Sequence, residues 1–187
     1  RGHHRTRPPG GSLARVYISI GSNVGRRDNI RSAIASLRGQ FGELMLSPVY
    51  ESAAIGFLGD HFYNLVAGLN TDLDPHGLRT RLAAIESQHG RTPDTPRYAP
   101  RPLDLDILLY DDLVIRDNGL DLPRKDITRY AFVLRPLADI AGEVMHPLEG
   151  RRIRELWAEF DKSSQALAPV FPEDLLGPSA SVSEPRA

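Results

Sequence analysis

Asp104 and Asp106 stand two residues apart in Leu103-Asp104-Leu105-Asp106-Ile107-Leu108-Leu109. Leu103, Leu105, Ile107 and Leu109 alternate with them, and a period of two is the strand signature. Both carboxylates therefore leave one face, roughly 6–7 Å apart along the strand. Acids that close repel each other unless a cation lies between them. A negative, oxygen-rich and rigid pair suits Mg²⁺. Arg91, Arg97 and Arg101 lie just upstream in a stretch broken by Pro93, Pro96, Pro100 and Pro102. Acids for metal beside arginines for phosphate is the equipment of phosphoryl transfer. The plainer reading is a solvated polar strand face. Against it, aspartate is depleted in strands, where Thr, Lys or Glu is commoner on an exposed face.

Composition limits the alternatives. The formal net charge of −1 gives no broad field to attract nucleic acid or an anionic membrane. The absence of cysteine removes disulfides and thiolate metal sites and fits a reducing compartment. No apolar run is long enough for a membrane span, and the first residues lack the apolar segment of a signal peptide. A cytoplasmic protein is expected. The length of 187 residues suggests one domain. Residues 1–13 and 163–187 read as disordered, which leaves 14–162 as the folded unit.

The elements that must hold the acids follow from periodicity. Val16, Ile18 and Ile20 mark a first strand. Gly21 to Gly25 reads as a turn without the lysine of a P-loop. Asp28 is the expected N-cap of a helix with Ile30, Ala33, Ile34 and Leu37 on one stripe, stopped at Gly39. Phe41 to Tyr50 reads as a strand interrupted by Pro48. Ser52 to Asp60 is a loop whose apolar residues suit either a lid or ordinary packing. Phe62 to Asn70 is a further strand, with Tyr63, Leu65, Ala67 and Leu69 on one face and Phe62, Asn64 and Val66 on the other. A mid-strand Asn needs a partner, in a ligand or in a loop. Asp74-Pro75 opens a helix with Leu78, Leu82 and Ile85 buried, capped at Gly90. Glu86 in its last turn opposes the helix dipole and reads as a surface residue or a site residue. Ala131 to Ile140 and Arg152 to Phe160 are late helices, the first containing Pro136. Phe132 and Trp157 read as core.

The order strand, helix, strand, strand, helix, strand predicts an α+β, ferredoxin-like antiparallel sheet. Its helices should pack mainly on one face, with helical additions at the C-terminus.

The run Ala99-Pro100-Arg101-Pro102-Leu103-Asp104-Leu105-Asp106-Ile107-Leu108 closely resembles the signature of 6-hydroxymethyl-7,8-dihydropterin pyrophosphokinases, enzymes of folate synthesis. Further resemblance lies in Tyr17 to Asn23, in Phe62-Tyr63-Asn64, in Glu86 to Arg91 and in Ala131 to Leu137. It covers roughly residues 14–162. The resemblance implies transfer of pyrophosphate from ATP to the pterin hydroxymethyl oxygen, with release of AMP. It implies that Asp104 and Asp106 hold two Mg²⁺ ions and that Arg91 and Arg101 grip phosphates as catalytic residues. Arg97, Ile107, Arg124 and Lys125 fall on the nucleotide side, and Glu86 moves there from the surface. On the pterin side it implies stacking on Phe132, reading by Asn64, and contacts from Ser52, Ala53, Ile55, Phe62 and Tyr98. Two positions depart from the pattern. Arg124-Lys125 stand where the family often has His, and Tyr130 where many members have Arg. The expected partners are the two small-molecule substrates, without nucleic acid or membrane, and the expected state is a monomer. Two rivals remain open: a nucleotidyltransferase on the same scaffold, which would release pyrophosphate, and a non-catalytic binding module.

Overall fold

The structure, a computed structural model, describes residues 13–53, 61–90 and 102–171. Apolar alternation makes Ala14–Ser22 a strand, β1, and it includes Gly21 and Ser22, which the sequence reading assigned to a turn. Helix α1, Arg26–Phe41, follows Gly25 and buries Ile30, Ala33 and Leu37. Asp28 lies in its first turn rather than at the N-cap. Gly39 lies inside the helix, which stops at Gly42. The backbone explains both corrections. Gly25 and Gly42 have φ of 53° and 78°, a region that costs glycine nothing, whereas Gly39 has helical neighbours on both sides.

The expected strand from Phe41 to Tyr50 is two short pieces, β2 (Met45–Leu46) and β3 (Val49–Ser52), and Phe41 ends α1. Between the pieces, the Ser47 hydroxyl accepts from the Val66 amide at 2.8 Å and so replaces a ladder bond where Pro48 follows. Strand β4 is Phe62–Thr71. Helix α2, Pro75–Gln88, starts as expected, with the Asp74 carboxylate accepting from the Gly77 amide at 2.6 Å. Strand β5 is Asp104–Tyr110.

The main sheet has the order β5-β1-β4-β3-β8, where β8 is Ala168–Val170, with β2 also on β4, and its paired strands are antiparallel. This is the ferredoxin-like arrangement. Leu65, Ala67 and Leu69 of β4 and Leu105 and Ile107 of β5 pack with α1 and α2 in a first core. A second core on the opposite face joins Tyr17, Val66, Leu108 and Leu109 to α4 (Ala131–Ala141) and α5 (Ile153–Glu159). Trp157 and Phe132 pack at its margin. Helix α4 runs through Pro136 without stopping. A hairpin of β6 (Ile115–Asp117) and β7 (Leu120–Leu122) turns at Asn118 and Gly119, both at positive φ. The short α3, Asp126–Arg129, follows it.

Two further differences have local causes. The register between β1 and β5 shifts between Tyr17 and Ile18, where β5 carries one extra residue. Leu109 therefore joins the second core and Tyr110 the first, against the simple alternation. The tail expected from residue 163 is part of the fold through β8, Ala168–Val170, which pairs with β3. Its composition is poor in apolar residues, but backbone pairing at a sheet edge does not need them.

Candidate active site

The two acids of β5 lie on the face that carries the second core, because Leu105 and Ile107 point to the first. Asp104 is opposite Gly21 of β1, and Asp106 is opposite Ser19. Gly21 is in turn opposite Asn64 of β4, and Asn64 is opposite Tyr50 of β3. Asp104, Gly21, Asn64 and Tyr50 thus form one row across four strands. Two strand spacings, roughly 10 Å, separate the acid from the amide.

Gly21 is the floor between them. A Cβ there would stand 2.8 Å from Asn64 Oδ1 and 3.9 Å from Phe62 Cδ1. Asn64 and Phe62 therefore lean over the glycine. Asn64 is 4% exposed, and its Nδ2 donates to Ser52 Oγ at 3.2 Å. The structure so brings Ser52, Phe62 and Asn64 together. Ala53 is exposed beside them. Ile55 lies outside the described residues, as do Arg91, Arg97, Tyr98 and Arg101.

Helix α4 packs over β3 and β4 on this face. Phe132 is in its first turn, stacked on Tyr130 with ring centroids 5.0 Å apart and planes 14° apart. The helix is pinned to β3 by a network that the sequence reading missed. Tyr50 Oη donates to Asp139 Oδ2 at 2.5 Å and accepts from Arg135 Nε at 3.1 Å. Burial, then the bond to Asp139, push the Tyr50 hydroxyl up, while Arg135 works the other way. The spacing of Arg135 and Asp139, one helical turn apart, was the one signal in the sequence.

At the other end of the row, Arg124 Nη2 lies 3.6 Å from Asp106 Oδ1, and its Nε donates to Asp126 Oδ2 at 2.9 Å. Burial opposes the charge on Arg124, but Asp106 and Asp126 outweigh it and hold the guanidinium above the usual arginine range. Lys125 is exposed next to it. Glu86 is not a bystander on the surface of α2. Its Oε2 accepts from the Leu105 amide at 2.9 Å, between the two aspartates. The Arg124 amide donates to the Leu108 carbonyl at 3.0 Å. Together they cover the outer edge of β5. Ile107 is 5% exposed in the first core, so its side chain faces away from the acids, against its expected place beside the nucleotide.

Among the described residues no group of three or more His, Cys, Asp or Glu side chains could hold a metal. The aspartate pair fits an ion of another kind. Mg²⁺ takes one or two carboxylates, keeps waters and accepts substrate phosphates as further ligands. The Arg124 guanidinium beside Asp106 shows that this carboxylate already draws a cation.

Comparison with known proteins gives consistent results. Residues 17–142 match the family model for 7,8-dihydro-6-hydroxymethylpterin-pyrophosphokinase. The chain is 40% identical over 156 residues to a 2-amino-4-hydroxy-6-hydroxymethyldihydropteridine pyrophosphokinase of Pseudomonas aeruginosa, covering 78% of this chain and 91% of that one. It is 37% identical over 150 residues to the protein of the same name from Aquifex aeolicus, covering 79% and 92%. Among solved structures, a Plasmodium falciparum HPPK-DHPS triple mutant superposes with a TM-score of 0.65 at 15% identity, over 80% of this chain and 42% of that one. That likeness concerns the fold, and this chain spans about two fifths of the larger protein.

Proposed function

The chain belongs to the 7,8-dihydro-6-hydroxymethylpterin-pyrophosphokinase family, and from that premise we propose which of its residues carry the reaction. The reaction transfers pyrophosphate from ATP to the 6-hydroxymethyl group of 6-hydroxymethyl-7,8-dihydropterin and gives AMP and the pterin diphosphate, a step of folate biosynthesis.

The pterin lies on the Gly21 floor. Asn64 reads its edge with the carboxamide that Ser52 orients, and Phe62 and Phe132 supply aromatic faces. Ala53, Ile55 and Tyr98 complete that side. ATP lies toward β5. Arg91, Arg97, Arg101, Arg124 and Lys125 grip its phosphates, with Arg91 and Arg101 as the catalytic arginines. Glu86 holds the backbone of β5 straight between the acids, and Ile107 contributes through its backbone. Asp104 and Asp106 would hold two Mg²⁺ ions, which would supply neutralisation of phosphate charge during the transfer.

The sheet row sets the distance between the two substrates, so the hydroxymethyl oxygen meets the β-phosphorus in line. A bond forms between that oxygen and the β-phosphorus. The bond from the β-phosphorus to the oxygen bridging it to the α-phosphorus breaks, and AMP departs with that oxygen. The hydroxymethyl proton is released to water. The observation that supports this reading best is the single row that joins Asp104 to Asn64 across Gly21.

The folded unit acts as a monomer in the cytoplasm, on small molecules rather than nucleic acid or membrane. Two facts favour a monomer. Glu86 and Arg124 cover the β5 edge, and the β8 edge carries Pro169, which has no amide to offer a neighbour. Among the described residues, no helix is long and apolar enough to cross a membrane.

The test is product analysis from ATP with and without the pterin, in Mg²⁺ or EDTA. AMP and pterin diphosphate in equal amounts, only with both pterin and Mg²⁺, is the expected result. Inorganic pyrophosphate with a nucleotidylated pterin would establish the rival transferase.

A further inference from the structure

Helix α4 begins without a cap of its own. Tyr130 occupies the N-cap position, and its side chain makes no capping bond. The Val133 and Leu134 amides return to the Tyr130 carbonyl, at 3.1 Å and 3.0 Å. The Ala131 amide is satisfied from far along the chain: it donates to Gln165 Oε1 at 2.9 Å. The same carboxamide donates through Nε2 to the Arg129 carbonyl at 2.9 Å. Gln165 thus grips the backbone on both sides of Tyr130, directly before Phe132.

Gln165 is itself held. Lys162 Nζ donates to the Trp157 carbonyl at 2.7 Å and lies 4.6 Å from the Trp157 ring centre. Asp161 caps the next turn through the Ser163 amide and hydroxyl, at 3.1 Å and 2.6 Å. Beyond Gln165, β8 pairs with β3, with Ala168 opposite Glu51 and Pro169 opposite Tyr50. Residues 162–170 therefore form a strap from the first turn of α4 to the strand that carries Ser52. These are the two walls of the pterin side. The strap lies beyond the family match, which ends at residue 142.

We propose that Gln165 is a positioning residue for pterin binding: it fixes the Arg129–Ala131 backbone and with it the height of Phe132 above the Gly21 floor. The proposal rests on the assignment of Phe132 to the pterin side. Gln165 touches no substrate. Without it the Ala131 amide loses its acceptor, the first turn of α4 frays, and the Tyr130–Phe132 stack moves as a unit. The nucleotide side, on β5 and Arg124, is held by other contacts and stays.

The test compares wild type, Gln165→Ala and Gln165→Glu. Dissociation constants are measured for 6-hydroxymethyl-7,8-dihydropterin and for a non-hydrolysable ATP analogue with Mg²⁺, beside thermal midpoints. In Gln165→Ala the pterin should bind roughly threefold to tenfold more weakly, the effect of losing one helix cap. The ATP analogue should stay within about twofold, a difference below half a kcal/mol on the same scale. Gln165→Glu keeps the acceptor for Ala131 at a helix start that favours negative charge but cannot donate to the Arg129 carbonyl, so it should recover only part of the loss. Unchanged pterin binding in Gln165→Ala overturns the proposal. So does a parallel loss of both ligands and of thermal stability, which would make the contact merely structural. A folded wild type that binds no pterin overturns the assignment of Phe132 and the proposal with it.

Discussion

Asn64 Oδ1 occupies the space beside Gly21, 2.8 Å from where a Cβ on that residue would stand. The glycine is therefore not a hinge between strand and helix. It is a strand residue kept bare so that an amide can lie across it, in the row that ends at Asp104.

Gly21→Ala should push the Asn64 carboxamide off the floor and away from Ser52. Overpacking of this kind costs about 1–3 kcal/mol in stability. A misplaced amide should weaken pterin binding by about tenfold or more, since a buried polar group left without its partner costs about 1–3 kcal/mol. Calorimetric titration with the pterin, beside a thermal melt, checks both. Full pterin affinity in a folded variant would show that Asn64 does not read the ring.

In the proposed site Arg124 would compete with a metal for Asp106, so the two effects of removing it should oppose each other. In Arg124→Ala, Mn²⁺ should bind the nucleotide-free protein more tightly, by no more than about fivefold, because a half-exposed pair is worth roughly 0–1 kcal/mol. The KM for ATP should rise, since a phosphate contact is lost. Mn²⁺ titration followed by electron paramagnetic resonance gives the first quantity. Weaker Mn²⁺ binding would mean that Arg124 supports the site rather than competing for it.

Glu86→Gln and Glu86→Ala should separate shape from charge. Either side chain of the wild type and the Gln variant can accept from the Leu105 amide, whereas Ala cannot. Loss of a bond to a charged acceptor is worth about 1.5–3 kcal/mol, so Glu86→Ala should melt several degrees lower while Glu86→Gln stays near wild type. If Glu86→Gln loses as much stability as Glu86→Ala, the charge itself holds β5.

His146 gives an acid-side dependence. It is 4% exposed, and its Nδ1 accepts from the Leu148 and Glu149 amides, both at 3.1 Å. Burial lowers its pKa below the usual histidine value, with Glu149 opposing. The unfolded chain takes up a proton near pH 6.5 and the native ring does not, so unfolding gains protons as pH falls. Stability from this residue is complete above about pH 6.5 and is lost as the pH drops toward the lowered native value. Thermal midpoints at neutral and mildly acid pH should fall less in His146→Ala than in wild type. An equal fall would remove His146 as the cause.

Much of this was legible in the sequence where a local rule and the tertiary packing agree. The Asp104 and Asp106 alternation, the Asp74-Pro75 helix start and the Leu78, Leu82, Ile85 stripe each state one local requirement, and the fold meets it. The failures share a different cause. Leu109 changed faces because a bulge depends on the partner strand, not on the residue itself. Glu86 stayed open between surface and site on its own residues, because its acceptor role needs an amide on another element. Tyr50 and Gln165 gave no local signal, since each acts through a contact far away in sequence, and the Arg135–Asp139 spacing pointed only to a helical pair and not to Tyr50. The tail around β8 read as disordered because edge pairing uses backbone, which composition does not report.

The central claim is that the paired acids of β5 carry the transfer while the sheet row holds the substrates. Single-turnover transfer from labelled ATP to the pterin in Asp106→Ala tests it most directly, with pterin affinity and thermal midpoint measured on the same sample. The rate should fall by about a thousandfold or more, as expected for losing several kcal/mol of charge stabilisation, with pterin affinity and fold unchanged. A folded variant that still transfers within about tenfold of wild type, a difference near 1.4 kcal/mol, would contradict it.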